Sequence, residues 1–174
     1  MQMNELAIHQ AMLIDLKQFD DARGSFCEAY RASWLPRESA RVQWNVSRSK
    51  AGVVRGLHLH RRQTDYWHLV SGEVTAALVD VRPASPTRGK AICVELTAAK
   101  PQAMLIPTGI LHGFHARTDV VLMYLLDQEY DPADELGVRW NDPAMGLPAS
   151  WYELPSPVLS PRDAGGCLLK DLRL

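Results

Sequence analysis

The stretch RGLHLHRRQTDYWHLVSG, residues 55 to 72, decides how the chain is read. It carries three of the six histidines, His58, His60 and His68, with Asp65 five residues past the second of them. Same-side residues on a β-strand are two apart, so His58 and His60 project together if the segment is extended. Two imidazoles and a carboxylate are good ligands for Zn, Fe, Mn or Ni. One imidazole beside a carboxylate is also a good general base near neutral pH. A strand that merely carries histidines at its rim is the third reading, with Asp65 as a turn residue. His68 is out of phase with the pair, precedes Leu69-Val70, and reads as structural.

Outward from this stretch the chain is a succession of short strands broken by turns. VQWNVS (42–47) alternates Val42, Trp44 and Val46 with Gln43, Asn45 and Ser47. EVTAALVDV (73–81) follows Ser71-Gly72 and ends at Arg82-Pro83; AICVEL, AMLIP, GFHA and VVLMYLL come after it. Strands at short, even spacing with Gly/Pro turns between them predict an all-β sandwich, jelly roll or barrel. The polar set Gln43, Asn45 and Ser47 is either a solvent face or the lining of a closed barrel. Helix is expected only around residues 1–12 and in SWLPRES (33–39). From Leu147 on, four prolines and Gly165-Gly166 predict an arm wrapping the core, so residues 1–174 read as one domain.

Composition excludes several classes. Lys plus Arg is 19 against 20 Asp plus Glu, a net charge of −1, which gives no bulk attraction to nucleic acid or an anionic membrane. MQMNELAIHQAMLIDL lacks a basic n-region and an unbroken apolar run, so no signal peptide is expected. No run reaches the roughly 18 apolar residues of a membrane span. Cys27, Cys93 and Cys167 are widely spaced and odd in number, which fits a reducing cytoplasm better than a disulfide framework. Cys93, inside an apolar run, reads as a core residue.

Two resemblances follow from the motifs. Gly52, His58-x-His60, Asp65 and Gly72, followed by Pro107-x-Gly109-x-x-His112, resemble the two-part cupin signature, with Asp65 where Glu is usual and Ala116 where Asn is frequent. More specifically, Asp21 to Asp163 resembles the dTDP-4-dehydrorhamnose 3,5-epimerase family, itself a cupin. The matching pieces run in family order: Asp21-x-Arg23-Gly24-x-Phe26-x-Glu28, Gln43-x-Asn45-x-Ser47, Arg55-Gly56-Leu57-His58 and Val79-Asp80-Val81-Arg82. After these come Ile106-Pro107-x-Gly109-x-x-His112-Gly113-Phe114, Tyr130-x-Pro132, Trp140-x-Asp142-Pro143 and Leu159-Ser160-x-x-Asp163.

The resemblance implies an all-β, cupin-type jelly roll (double-stranded β-helix) with short helices and a C-terminal arm. It implies a cytoplasmic homodimer with exchanged N-terminal strands, to which the segment from Glu5 to Phe19 could contribute. The implied activity is epimerisation of a nucleotide-linked 4-keto-6-deoxy sugar at C3, C5 or both, through an enolate and without a cofactor. His58 takes the place of the family's base, Asp163 of the carboxylate that holds it, and Tyr124 of the acid. Arg23, Arg55 and His112 match positions that hold the sugar or its diphosphate. Phe26, Glu28, Gln43, Asn45 and Tyr130 match nucleotide or pocket positions, with Tyr130 a stacking surface for the base.

The pattern breaks at His58-Leu59-His60 and at Gln63-Thr64-Asp65, where the family has His-(Tyr/Phe)-Gln and then Gln-x-Lys. The lysine thought to neutralise the enolate oxygen has become Asp65, and a carboxylate there repels an enolate. Three accounts follow. A metal held by His60, Asp65 and His112, with or without His58, supplies the positive charge. Alternatively, Asp65 pairs with Arg55, Arg61 or Arg62, and one of these or His60 takes the lysine's role. In the third, the chain epimerises one centre of a related sugar or catalyses something else; a catalytically silent nucleotide-sugar binding protein is the non-enzymatic alternative.

Overall fold

The protein is represented by a computed structural model that describes residues 1–35, 42–154 and 156–174. Two antiparallel sheets face each other. In chain order the strands are β1 (Gln2–Glu5), β2 (Met12–Asp15), β3 (Gln18–Asp21), β4 (Gly24–Cys27), β5 (Gln43–Ser49), β6 (Val54–His60) and β7 (Asp65–Ser71). They continue as β8 (Glu73–Asp80), β9 (Ala91–Thr97), β10 (Gln102–Ile106), β11 (Ile110–Ala116), β12 (Val120–Leu126) and β13 (Glu135–Gly137). One sheet has the order β1-β2-β10-β7-β12-β5, the other β13-β6-β11-β8-β9, and β3-β4 is a separate hairpin. This is the expected all-β jelly roll. Among the described residues no helix is long and apolar enough to cross a membrane.

Two helix expectations give way. Residues 1–12 form β1, a tight turn and the start of β2, with Met3 opposite Ile14. The turn is closed by Leu6 N–H to Ala11 C=O at 2.7 Å, which drops Ile8 and Ala11 fully into the core. Sheet pairing and burial outweigh the local helix signal there. Strand β2 pairs on its other side with β10 of the same chain. In SWLPRES only a single 3-10 turn, Ala32–Trp34, is present, and residues 36–39 lie outside the described residues.

The ambiguous alternation on β5 resolves inward for the polar set. Asn45 and Ser47 line an interior cavity, while Val42, Trp44 and Val46 are 56%, 65% and 50% exposed.

Strand β6 positions the histidines. Leu57 and Leu59 are fully buried on one face, under the C-terminal arm, and His58 and His60 turn to the other face, into the cavity. Arg55 also points into the cavity, although it is three residues from His58. A β-bulge explains this: His112 on β11 pairs with His58, yet Phe114, two residues on, pairs with Arg55. The bulge draws the two strands into close contact. A Cβ on Gly113 would lie 2.4 Å from the Arg55 carbonyl, and one on Gly56 would lie 2.8 Å from the Gly113 Cα. Only glycine permits this approach, and Gly56 also sits at φ +108°.

The tail is an arm, as its prolines suggested. It carries the short helices α1 (Ala149–Tyr152) and α2 (Pro161–Ala164) and makes parallel bridges Val53–Val158 and Val138–Cys167. Trp151 pins it, 1% exposed, with its indole N–H donating to the Trp140 carbonyl at 2.7 Å.

Candidate active site

Between the sheets lies a cavity of about 430 Å³, within the usual range for small-molecule sites. One wall is β6 and β11, which contribute Arg55, His58, His60 and His112. The facing wall is β5, β7 and β12, which contribute Asn45, Asp65, Trp67 and Tyr124. Helix α2 closes one side with Arg162 and Asp163.

His58 stands between two carboxylates. Its Nε2 is 2.7 Å from Asp163 Oδ1, and its Nδ1 is 3.3 Å from Glu135 Oε1. Asp163 is fixed from the backbone: it occupies the first turn of α2, where its N–H donates to the Ser160 hydroxyl at 3.0 Å. Burial lowers the pKa of His58, and Asp163 opposes this only in part, so the ring favours its neutral form. Burial alone would raise the Asp163 carboxyl, but the bond to His58 holds it below its usual range. An imidazole whose Nε2–H is donated to a carboxylate carries its lone pair on Nδ1.

Asp65 is buried and surrounded by donors. Gln63 Nε2 donates to Oδ1 at 2.7 Å, Trp67 Nε1 donates to Oδ2 at 3.1 Å, and His112 Nε2 lies 3.6 Å from Oδ2. Burial works against the carboxylate, yet His112, His60 and Gln63 hold its pKa at about 2. Burial likewise works against a charged His112, but Asp65 reverses the balance and raises it. His60, 7% exposed, has its pKa pushed down to about 4 by burial and by His112. It is therefore not the rim residue of the third reading, nor is Asp65 in a turn. His60, Asp65 and His112 bring their ligand atoms within 4.8 Å of one another and could hold a metal ion; His58 stands outside this group.

Tyr124 occupies the middle of β12, opposite Asn45 on β5 and Trp67 on β7. Burial and the Asp65 charge raise its pKa, against the opposing effects of Arg55 and Asn45, so the phenol keeps its proton.

Of the sequence-derived residues, Asn45, Arg55, His58, His60, Asp65, His112, Tyr124, Tyr130 and Asp163 all line the cavity. Gln43 stands one layer behind, donating to Asn45 Oδ1 at 3.0 Å and accepting from the Tyr130 N–H at 2.8 Å. Arg23, Phe26 and Glu28 lie on or beside the β3–β4 hairpin and do not line this cavity. Arg23 pairs with Asp21, Phe26 is 63% exposed beside Phe19, and Glu28 pairs with Arg31.

The second account, an ion pair of Asp65 with Arg55, Arg61 or Arg62, does not hold among the described residues. Arg62 is held by Asp131 and Asp134, Arg61 by the Arg173 carbonyl, and Arg55 by Ser49 Oγ at 2.9 Å. All three guanidinium groups are drawn to partners outside the Asp65 cluster. His68 is structural, with Nδ1 3.0 Å from the Gln102 carbonyl.

Two residues at the site escaped sequence reading, Glu135 and Arg162, which form an ion pair with each other. Glu135 sits on a three-residue strand paired to His60, too short to show a period. Arg162 precedes Asp163 and was overshadowed by it. Its guanidinium also donates to the Tyr130 hydroxyl at 3.3 Å.

The comparisons with known proteins agree with this geometry. The family described as dTDP-4-dehydrorhamnose 3,5-epimerase matches residues 5–171. The dTDP-4-dehydrorhamnose 3,5-epimerase of Salmonella typhimurium is 36% identical over 171 residues, covering 94% of this chain and 92% of that protein. The enzyme of the same name from Neisseria gonorrhoeae is also 36% identical, over 93% of this chain, but it is longer, and the chain spans 51% of it. Among solved structures, the RmlC epimerase of Mycobacterium tuberculosis superposes with a TM-score of 0.89 at 32% identity, covering 98% of this chain and 90% of that one. By sequence and by fold, the chain belongs to the dTDP-4-dehydrorhamnose 3,5-epimerase family.

Proposed function

We propose that the protein is an isomerase that epimerises a dTDP-linked 4-keto-6-deoxy sugar at C3, C5 or both. The ketone acidifies the neighbouring C–H bonds; a base removes a proton to give an enolate, and an acid returns one on the opposite face. The observation that carries this reading is the placement of an oriented base and a protonated phenol on facing walls of one cavity. His58 projects from β6, backed by Asp163 at 2.7 Å, and Tyr124 projects from β12.

In this reading Asp163 accepts the Nε2–H of His58, so Nδ1, the nitrogen beside Glu135, is the one that takes the substrate proton. The resulting imidazolium lies between Asp163 and Glu135, which stabilise it, while Arg162 holds Glu135 in place. Tyr124 supplies the returning proton. Arg55, with its fork at the cavity wall, suits the diphosphate, and Tyr130, 48% exposed, offers a stacking face for the base.

We place the protein in the cytoplasm, as a homodimer. The exposed Phe19 and Phe26 on the hairpin, Val42 just before β5, and Trp44 and Val46 on β5 are the apolar surface that supports association. Arg23, Phe26 and Glu28 would then serve a neighbouring subunit's cavity, since they do not line their own.

The test is solvent exchange. With dTDP-4-keto-6-deoxyglucose in D₂O, the wild-type protein should incorporate deuterium at C3 or C5, and His58→Ala should not. Exchange at the wild-type rate in His58→Ala would remove the base assignment.

A further inference from the structure

The cluster at the floor of the cavity has a feature that substrate binding by His58 and Tyr124 does not use. His60 is 7% exposed and lines the cavity, and its imidazole has no hydrogen-bond partner among the described residues. A buried imidazole without a partner is costly and calls for a ligand. Beside it, His112 has its Nδ1 2.9 Å from the Ile110 carbonyl. With the Nδ1–H donated there, Nε2 is the nitrogen directed at Asp65, and it becomes a ligand once an ion displaces its proton, the arrangement that orients a metal-bound histidine. Asp65 is oriented in the same way, by Gln63 on one oxygen and Trp67 on the other. Each oxygen retains a lone pair beyond these bonds. At 3.6 Å, His112 Nε2 and Asp65 Oδ2 are too far apart for a good hydrogen bond, but they suit two ligands about 2.1 Å from a shared ion.

We infer that His60, Asp65 and His112 form a binding site for one divalent first-row transition-metal ion, open to the cavity. Two imidazoles and one carboxylate are a fitting N/O set, and three protein ligands leave coordination positions free for the oxygens of a bound molecule. The set excludes His58, whose nitrogens face Asp163 and Glu135. Base and metal are therefore separate groups, and the ion does not compete with proton abstraction. The site itself rests on these contacts alone; its role rests on the epimerase reading. An enolate formed above a buried carboxylate would be destabilised, and a divalent cation reverses the local charge and stabilises the oxygen as it becomes negative.

The experiment uses full-length protein purified without a metal-affinity column, stripped with chelator and titrated with Co(II) by visible absorption and with Zn(II) by calorimetry. Wild type and His58→Ala are expected to take up one ion per chain. Asp65→Asn and His60→Ala are each expected to bind about 100-fold more weakly or not at all. His60→Ala removes no hydrogen bond of the apo fold, so it separates loss of a ligand from loss of structure. Deuterium exchange into the keto sugar is followed on the same stripped and reloaded samples. No ion uptake by wild type, or uptake undiminished in both ligand variants, overturns the site. Full exchange in stripped protein without uptake would overturn the metal and leave the epimerase reading standing. Uptake with no exchange in either sample would support the site and sink the epimerase reading.

Discussion

Gly113→Ala tests whether the close crossing of β6 and β11 positions the site. The added methyl would meet the Arg55 carbonyl oxygen at 2.4 Å and Leu57 Cδ2 at 2.7 Å. Ordinary contact begins near 3.4 Å, so the strands must part by about 1 Å. Leu57 has little room to yield, because it is fully buried under the arm, and a carbonyl cannot rotate away without breaking its strand. Overpacking of this kind costs about 1–3 kcal/mol, which for a chain of this size lowers the Tm by about 2–12 °C. The shift falls where Arg55 and His58 leave the strand, and a misplacement of about 1 Å costs on the order of 100-fold in rate.

Gly137→Ala is the matched control. Gly137 pairs with His58 from the other side of β6, yet its Cβ would find only the Leu57 carbonyl, at 4.0 Å. That variant should keep its Tm within about 1 °C per few tenths of a kcal/mol and retain its exchange rate. The assays are thermal unfolding and deuterium exchange into the keto sugar, run on both variants. If Gly113→Ala matches Gly137→Ala in Tm and in rate, the crossing does not position the site and the reasoning fails.

Asp163→Asn keeps the shape of the partner to His58 but removes the charge that selects its tautomer, so exchange should fall by about 10³-fold or more with dTDP binding retained, as read by calorimetry. Tyr124→Phe should separate the two half-reactions: exchange into recovered substrate persists while epimerised product falls by about 100-fold, measured by NMR. Asp80, fully buried, is held well below the usual carboxylate range because Arg82, Ser85 and Thr87 outweigh its burial. Its contribution is present above the unfolded pKa of about 3.9 and is lost as pH falls below it. Asp80→Asn should therefore cost about 3 kcal/mol at pH 7, with the gap to wild type narrowing below about pH 4 in urea unfolding.

The β pattern was legible because its signals are local. Apolar runs of strand length, cut by Gly and Pro, located β5 and β8 to β12 closely, and the prolines marked the arm. What stayed hidden depends on contacts far along the chain. Residues 1–12 looked helical because nothing local reveals that Met3 pairs with Ile14 or that Ile8 is buried. The three-residue step from Arg55 to His58 reads as opposite faces until the bulge against β11 puts both in the cavity. Glu135 reaches the site from a strand of three residues, and its partners are His58, far upstream, and Arg162 on the arm. Family motifs carried the choice of His58, Tyr124 and Asp163; periodicity alone placed none of them in a common cavity.

Asp65 is where the chain departs from the pattern of its family, and the structure narrows what that departure can mean. Arg55, Arg61 and Arg62 are each held by another partner, which turns the question of compensation to the cluster itself or to a ligand. Within the cluster, His112 can supply one positive charge, but its Nδ1 faces Ile110 and its Nε2 faces Asp65, leaving no donor for a substrate oxygen. His60 has no partner to hold a second proton, and its burial disfavours charge. In the proposed reading the pocket must stabilise an anion, yet its floor is a buried carboxylate with, within the cluster, only the one N–H of a neutral His60 left to donate. That combination repels an enolate as it stands and binds a cation well. The proposed base is unaffected by the outcome, because His58, Asp163 and Glu135 form their own group. In the proposed reaction the floor would decide how far the enolate is stabilised once His58 has taken the proton.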